Sequence, residues 1–267
     1  MRACPFLECL AVATRAAHQA GVLLASRAGR ARQVQTKRNP IDLVTEVDRA
    51  SERLIHRVIA RRFPDHGFVG EERTRTNPES PYQWIVDPID GTTNFVHGVP
   101  VFAVSIALAW RGKPVAGVIY DPMRRETFTA ANGAGAWLNR RRIRVSSNKR
   151  LADSLLSTGF SARFREHPGP YLRWFKAFQM RCHAVRRIGC TTLSLAYVAC
   201  GREDGFFERD LWPWDVAAGI VLVQEAHGRV TDLDGSPVRL DQGRMVASNG
   251  HIHREMLALL RNLSPKR

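Results

Sequence analysis

Residues 84–95 read Trp84-Ile85-Val86-Asp87-Pro88-Ile89-Asp90-Gly91-Thr92-Thr93-Asn94-Phe95. An apolar, strand-forming run leads straight into two acids, and the ring of Pro88 fixes the backbone between them. With the chain bending at Pro88, the side chains of Asp87 and Asp90 and the carbonyl of Ile89 can converge on one point at the strand's end. Oxygen-only convergence suits a hard cation such as Mg²⁺. Carboxylates crowded together resist ionising unless a cation lies between them. Gly91-Thr92-Thr93 then offers a bare backbone and two hydroxyls where a helix can begin, a place where N–H groups hold phosphate. Read alone, the same residues also describe an Asp-Gly turn with a threonine capping a short helix.

Working outward, further acids recur beside apolar runs. Gly70-Glu71-Glu72 follows Phe68-Val69, and by itself a solvated acidic loop is the commoner explanation of such a segment. Trp214-Asp215-Val216-Ala217-Ala218-Gly219 sets an acid at the start of a small-residue helix, the usual place for an N-cap. Thr45-Glu46-Val47-Asp48 satisfies a capping box, so the residues by themselves make Asp48 structural. No protein nucleophile is evident: there is no H-E-x-x-H, no G-x-S-x-G and no cysteine with an activating partner. An aspartyl nucleophile in D-x-D-x-T needs two acids two residues apart, whereas Asp87 and Asp90 are three apart. Gly133-Ala134-Gly135 lies among strand-like residues with no helix after it and reads as a turn.

Helical periodicity covers residues 5 to about 31 and Thr45 to Arg62, where Leu54, Ile55, Val58 and Ile59 share a face and Phe63-Pro64 ends the run. A strand-rich block follows: Gln83 to Val86, Val101 to Trp110, Val115 to Tyr120 and Thr127 to Ala130, with Arg111-Gly112-Lys113-Pro114 marking a hairpin. From Asp153 strands alternate with helices: strands Leu155 to Thr158, Ala184 to Ile188 and Gly205 to Glu208, helices Tyr171 to Met180 and Leu193 to Cys200, and another after Trp214. The pattern predicts an α+β subdomain over residues 1–145 and an α/β subdomain over 146–267, with the seam near Arg140 to Arg150. The first holds most of the candidate ligands; the second holds Asp215 and the substrate-side residues.

The composition is that of an ordinary globular chain, with 44% hydrophobic and 24% charged residues in 267. The apolar start from Ala3 to Ala13 carries Glu8 and continues at helical spacing, so it reads as an amphipathic helix rather than a signal peptide or membrane span. Five cysteines without a C-x-x-C pair point to a reduced, cytoplasmic setting. The net charge of +15, carried mostly by arginine along the whole chain, attracts anions without choosing among metabolites, acidic proteins and nucleic acid.

Gly70-Glu71-Glu72, the block from Trp84 to Gly98 and the block from Trp214 to Gly219 together resemble the three signature blocks of the inositol monophosphatases. The resemblance runs from Lys37 and Asp42-Leu43-Val44-Thr45 to Glu225-Ala226. Arg186-Arg187-Ile188-Gly189, Leu195 to Ala199 and Gly205-Phe206-Phe207-Glu208 place it nearest the bacterial branch. It implies a layered αβαβα sandwich of the metal-dependent sugar phosphatase type, with two or three Mg²⁺ ions and sensitivity to Li⁺. Carried onto matching positions, Glu71, Asp87 and the Ile89 carbonyl would hold the first ion, Asp87, Asp90 and Asp215 the second, and Glu71 would also face a third. Asp48 and Thr92 would activate the attacking water, overturning the structural reading of Asp48. Gly91, Thr92 and Thr93 would bind phosphate, Glu208 with Gly189 and Thr191 would line the polyol side, and Lys37 matches a basic residue near the metals. The expected substrate is myo-inositol monophosphate or a similar polyol or sugar phosphate. Relatives in the same fold cleave fructose 1,6-bisphosphate, histidinol phosphate, adenosine 3′,5′-bisphosphate or NADP. A homodimer and contact with RNA or the transcription machinery are further implied possibilities.

Overall fold

Ala13, Ala16, Ala17 and Ala20 recur at helical spacing, and in the computed structural model they form the covered face of α1 (Leu7–Arg27). The structure describes residues 6–31, 33–37 and 40–263. The start of the apolar run at Ala3, the expected first helical residue Pro5, and Cys4 lie outside them. A short ribbon, β1 (Val34–Thr36) with β2 (Leu43–Thr45), leads into α2 (Glu46–Arg62), capped by the Thr45 side chain. Eight strands then form one sheet: β3 (Gly67–Gly70), β4 (Arg75–Thr76), β5 (Tyr82–Asp90), β6 (Ala103–Trp110), β7 (Lys113–Asp121), β8 (Glu126–Ala131), β9 (Gly135–Leu138) and β10 (Arg141–Arg142). Their order is β10-β9-β8-β7-β6-β5-β3-β4, antiparallel except where β3 meets β5. The one-turn helix α3 (Thr92–Val96) leaves the end of β5.

A smaller sheet has the order β12-β11-β13-β15-β14, built from β11 (Leu155–Thr158), β12 (Ala184–Arg186), β13 (Gly205–Arg209), β14 (Arg229–Thr231) and β15 (Arg244–Ser248). The connecting helices are α4 (Pro168–Gln179), α5 (Thr191–Ala199), α6 (Pro213–Glu225) and α7 (His253–Leu263). Helices α5 and α6 are apolar on nearly every side, which requires burial on every side. They lie between the two sheets, with Leu195, Val198, Val221 and Leu222 packed among residues of both. Gly117 on β7 permits this approach, since a Cβ there would stand 2.7 Å from the Ala218 Cα. Helices α1 and α2 cover the outer face of the large sheet, and α4 and α7 that of the small one, giving the five αβαβα layers.

The strand expected to stop at Val86 runs on to Asp90. Its register with β6 shifts between Asp87, opposite Ser105, and Asp90, opposite Ala103. Three steps on β5 match two on β6, a bulge at the residue that has no N–H to give the ladder, Pro88. The expected hairpin after Trp110 turns on Arg111 and Gly112, both at positive φ (49° and 76°). Helix α5 begins at Thr191, two residues before the expected Leu193, and β12 ends at Arg186 rather than Ile188.

Candidate active site

A cavity of about 760 Å³ opens where the end of β5, the start of α5 and the start of α6 meet. Its lining includes Lys37, Glu71, Asp90, Gly91, Thr92, Thr93, Gly189, Thr191, Glu208 and Asp215. Asp48, Asp87 and Ile89 stand behind that surface at 0%, 3% and 1% exposure.

The bulge of β5 and two helix starts set the acids. Asp87 Oδ1 accepts the Ile89 N–H at 2.9 Å across the Pro88 turn. Asp90 Oδ2 accepts the Thr192 N–H at 2.6 Å from the first turn of α5, and the Cys190 thiol lies 3.2 Å from the same oxygen. Asp215 proves to be the third residue of α6 and not its N-cap, and its Oδ2 accepts the Trp212 N–H at 2.7 Å. Pro213 occupies the first helical position, where a missing N–H does no harm. Glu71 follows β3 and donates its own N–H to the Val86 carbonyl at 3.1 Å, tying it to β5. Lys37 donates to Glu71 Oε1 at 2.8 Å and also to Glu72.

Electrostatically these acids act on one another. Burial first, then the charges of Glu71, Asp90 and Asp215, push the Asp87 carboxyl well above the usual range. Burial and the Asp90 charge do the same to Asp215. Burial raises Asp90 as well, and it lifts Glu71 to about 7 against the opposing pull of Lys37. Such a group of carboxylates, Asp87 buried and Glu71, Asp90 and Asp215 half-buried around it, with oxygen as its only donor atom, is the environment that a hard cation stabilises. In the geometry described, no three His, Cys, Asp or Glu side chains among the described residues meet at ligand distance. Lys37 occupies Glu71, and a cation bound to Glu71 must displace or share that ion pair. The donor set, all oxygen and crowded with like charge, fits a divalent cation in its chemistry.

The capping box at Asp48 is present, and it uses only one of the two carboxylate oxygens. Oδ2 accepts the Thr45 N–H at 2.7 Å and its hydroxyl at 2.5 Å, completing the capping box. Oδ1 lies 3.2 Å from the Thr92 hydroxyl, which is also 3.0 Å from the Ile89 carbonyl. Burial pushes the Asp48 carboxyl up to about 6, against the hydrogen bonds from Thr45. Gly91 has a φ of 92°, and a Cβ there would stand 2.9 Å from the Val101 carbonyl, so the turn that presents Thr92 needs glycine. Thr93 is exposed.

Glu208, the penultimate residue of β13, is 5% exposed on the cavity lining and accepts the Thr191 hydroxyl at 3.0 Å. Burial, followed by the Asp90 charge, pushes it up to about 8, while Thr191 and Arg187 pull the other way. Gly159 clears the space, since a Cβ there would stand 2.1 Å from Glu208 Oε1. Sequence reasoning passed over Asn94, whose amide reaches the carbonyls of Val101 at 2.8 Å and Ile188 at 2.9 Å and so joins the Thr92 turn to the Gly189 loop. It also passed over Cys190. Both sit one to three residues from residues that were read, but only the fold brings the two segments together.

Comparison with known proteins identifies the family and the fold. Residues 7–264 match the model of the inositol monophosphatase family. An inositol-1-monophosphatase of Mesorhizobium japonicum is 44% identical over 93% of this chain and 94% of its own. A Nus factor SuhB of Pseudomonas aeruginosa is 43% identical over 94% and 95%. The solved structure of an inositol monophosphatase from Anabaena superposes with a TM-score of 0.89 at 41% identity, covering 97% of this chain and 98% of that one.

Proposed function

This chain belongs to the inositol monophosphatase family, and we propose that it is a Mg²⁺-dependent phosphomonoesterase acting on myo-inositol monophosphate or a closely similar polyol phosphate. The observation that carries the reading is the gathering of Glu71, Asp90 and Asp215 on the lining of one cavity around the buried Asp87, whose carboxyl their charges raise, with Glu208 on the same lining. Glu71, Asp87, Asp90 and Asp215, with the Ile89 carbonyl, would hold the cations. Bound there, divalent cations supply an acidified water and balance charge on the phosphate and on the leaving oxygen.

The chain's own groups do the rest. The Asp48 Oδ1 and Thr92 Oγ1 pair orients a water and takes its proton, while Asp48 Oδ2 stays fixed by Thr45. Gly91 and Thr93 leave room and polar groups for the phosphate. Glu208 accepts hydrogen bonds from ring hydroxyls, with Thr191 and Gly189 on the same lining. Glu208 ionises more readily once the Asp90 charge is balanced, because that charge is among the causes holding it up. Lys37 balances Glu71 and Glu72 and lies at the cavity where an arriving phosphate would meet it. The test is phosphate release from a panel of inositol 1-phosphate, fructose 1,6-bisphosphate, histidinol phosphate, adenosine 3′,5′-bisphosphate and NADP, with and without Mg²⁺. Fastest turnover of inositol 1-phosphate supports the assignment, and preference for a bisphosphate overturns it.

A second role, contact with RNA or the transcription machinery, is favoured by the +15 charge together with the similarity to a protein named Nus factor SuhB. Binding to RNA that weakens steeply with salt supports it, and no binding at low salt removes it.

A further inference from the structure

Helix α2 turns a polar edge toward the acids. Asp48, Ser51 and Glu52 stand at i, i+3 and i+4 and therefore share one face, and they are 0%, 0% and 1% exposed. Polar groups so deeply covered keep partners, and those of Ser51 and Glu52 are the backbones of the two acid-bearing segments. The Ser51 hydroxyl donates to the Pro88 carbonyl at 3.2 Å, inside the turn between Asp87 and Asp90. Glu52 Oε2 accepts the Glu72 N–H at 2.6 Å, and Oε1 accepts the Thr74 N–H at 3.0 Å. Between those two gripped amides lies Arg73, a non-glycine residue at a φ of 78°. Left-handed backbone at such a residue persists only where its surroundings fix it. Gly70, just before Glu71, is shaped to the same carboxylate, since a Cβ there would stand 2.2 Å from Glu52 Oε2.

We propose that Glu52 is a positioning residue for metal binding: its carboxylate clamps the loop of residues 70–74 in a strained form that keeps Glu71 beside Asp87, without itself touching metal or substrate. This rests on the reading of Glu71 as a metal ligand. Glutamine at position 52 keeps one oxygen to accept one N–H and turns an amide NH₂ against the other, so the fork is broken at nearly constant volume. Groups that orient metal ligands typically change metal affinity by about 10–100-fold when altered.

The experiment is calorimetric titration of the full chain with Mn²⁺, an oxygen-seeking probe of the same site, alongside thermal unfolding without metal. Glu52→Gln is expected to weaken Mn²⁺ binding by about 10–100-fold. The control is Glu225→Gln, because Glu225 likewise accepts two loop amides, Gly133 at 3.0 Å and Gly135 at 2.8 Å, on a turn outside the cavity lining. It is expected to alter stability and leave Mn²⁺ affinity unchanged. Should Glu52→Gln not fold, Glu52→Asp, one methylene short of the loop, is titrated in its place with a smaller loss expected. Unchanged Mn²⁺ affinity in a folded position-52 variant, or an equal loss in Glu225→Gln, overturns the proposal. Wild-type protein that does not bind Mn²⁺ removes the metal reading itself and this proposal with it.

Discussion

Replacing Asp48 by asparagine separates its helix cap from the proton-accepting role proposed for its other oxygen. The oxygen of an asparagine can turn to Thr45 and keep both donors now on Oδ2, at 2.7 Å and 2.5 Å, but as a neutral acceptor. Hydrogen bonds to charged groups contribute about 1.5–3 kcal/mol and neutral ones about 0.5–1.5. Burial already penalises this charge, pushing the group up to about 6, so part of the lost bonding is offset and the net destabilisation is about 1 kcal/mol. The amide nitrogen is then left facing Thr92 and cannot accept a proton. Loss of a positioned base lowers kcat by about 10²–10⁴-fold, or about 3–5 kcal/mol in the barrier. Urea unfolding gives the first quantity, and steady-state turnover of inositol 1-phosphate at saturating Mg²⁺ gives the second. A variant that loses several kcal/mol of stability yet turns over normally per folded molecule refutes the reasoning and leaves Asp48 a helix cap.

Thr92→Ala is expected to lower kcat far more than it raises KM, because its hydroxyl acts mainly in the transition state; an unchanged kcat with a raised KM would make Thr92 a phosphate contact only. Glu208→Gln should raise KM for inositol 1-phosphate by the loss of about one charged hydrogen bond, roughly 1.5–3 kcal/mol, and leave a non-polyol ester unaffected, so equal losses on both would take Glu208 out of the substrate wall. His253 is fully covered between the Thr231 and Ser248 hydroxyls, and burial lowers it from 6.5 to about 4. The fold binds its proton less well than the unfolded chain does, so stability present above pH 6.5 is lost as the pH falls through 4, by on the order of 3 kcal/mol; His253→Gln should flatten that part of the stability–pH curve, and an unchanged slope counts against it.

The bend at Pro88 was legible because proline between two acids interrupts an apolar strand, and β5 does carry a bulge there. The chain's strongest periodic signals, the alanine face of α1 and the all-apolar runs of α5 and α6, likewise located elements that the fold contains. Asp48 shows the limit of local reading. Its capping box is real, but the Thr92 hydroxyl on its other oxygen comes from a segment 44 residues away. Glu52 went unnoticed for the same reason, as an acid on a charged helix looks solvated until the loop it grips is known. Asp215, read as an N-cap, sits three positions further in, because the helix starts at Pro213 with Trp212 as its N-cap. The two- to five-residue strands β4, β10, β14 and β15 carry too few alternating residues to announce themselves, and their pairing is set by the layers around them.

The account stands most directly on one comparison: phosphate release from inositol 1-phosphate by the wild-type chain in Mg²⁺, by the same chain in excess chelator, and by Asp90→Asn. Asp90 accepts from Thr192 across the cavity floor, and an asparagine oxygen can keep that bond, so the variant should fold with wild-type-like stability. The account predicts turnover in Mg²⁺, none in chelator, and none from the folded Asp90→Asn protein. Full activity in chelator, or a folded Asp90→Asn enzyme that turns over at the wild-type rate, contradicts it.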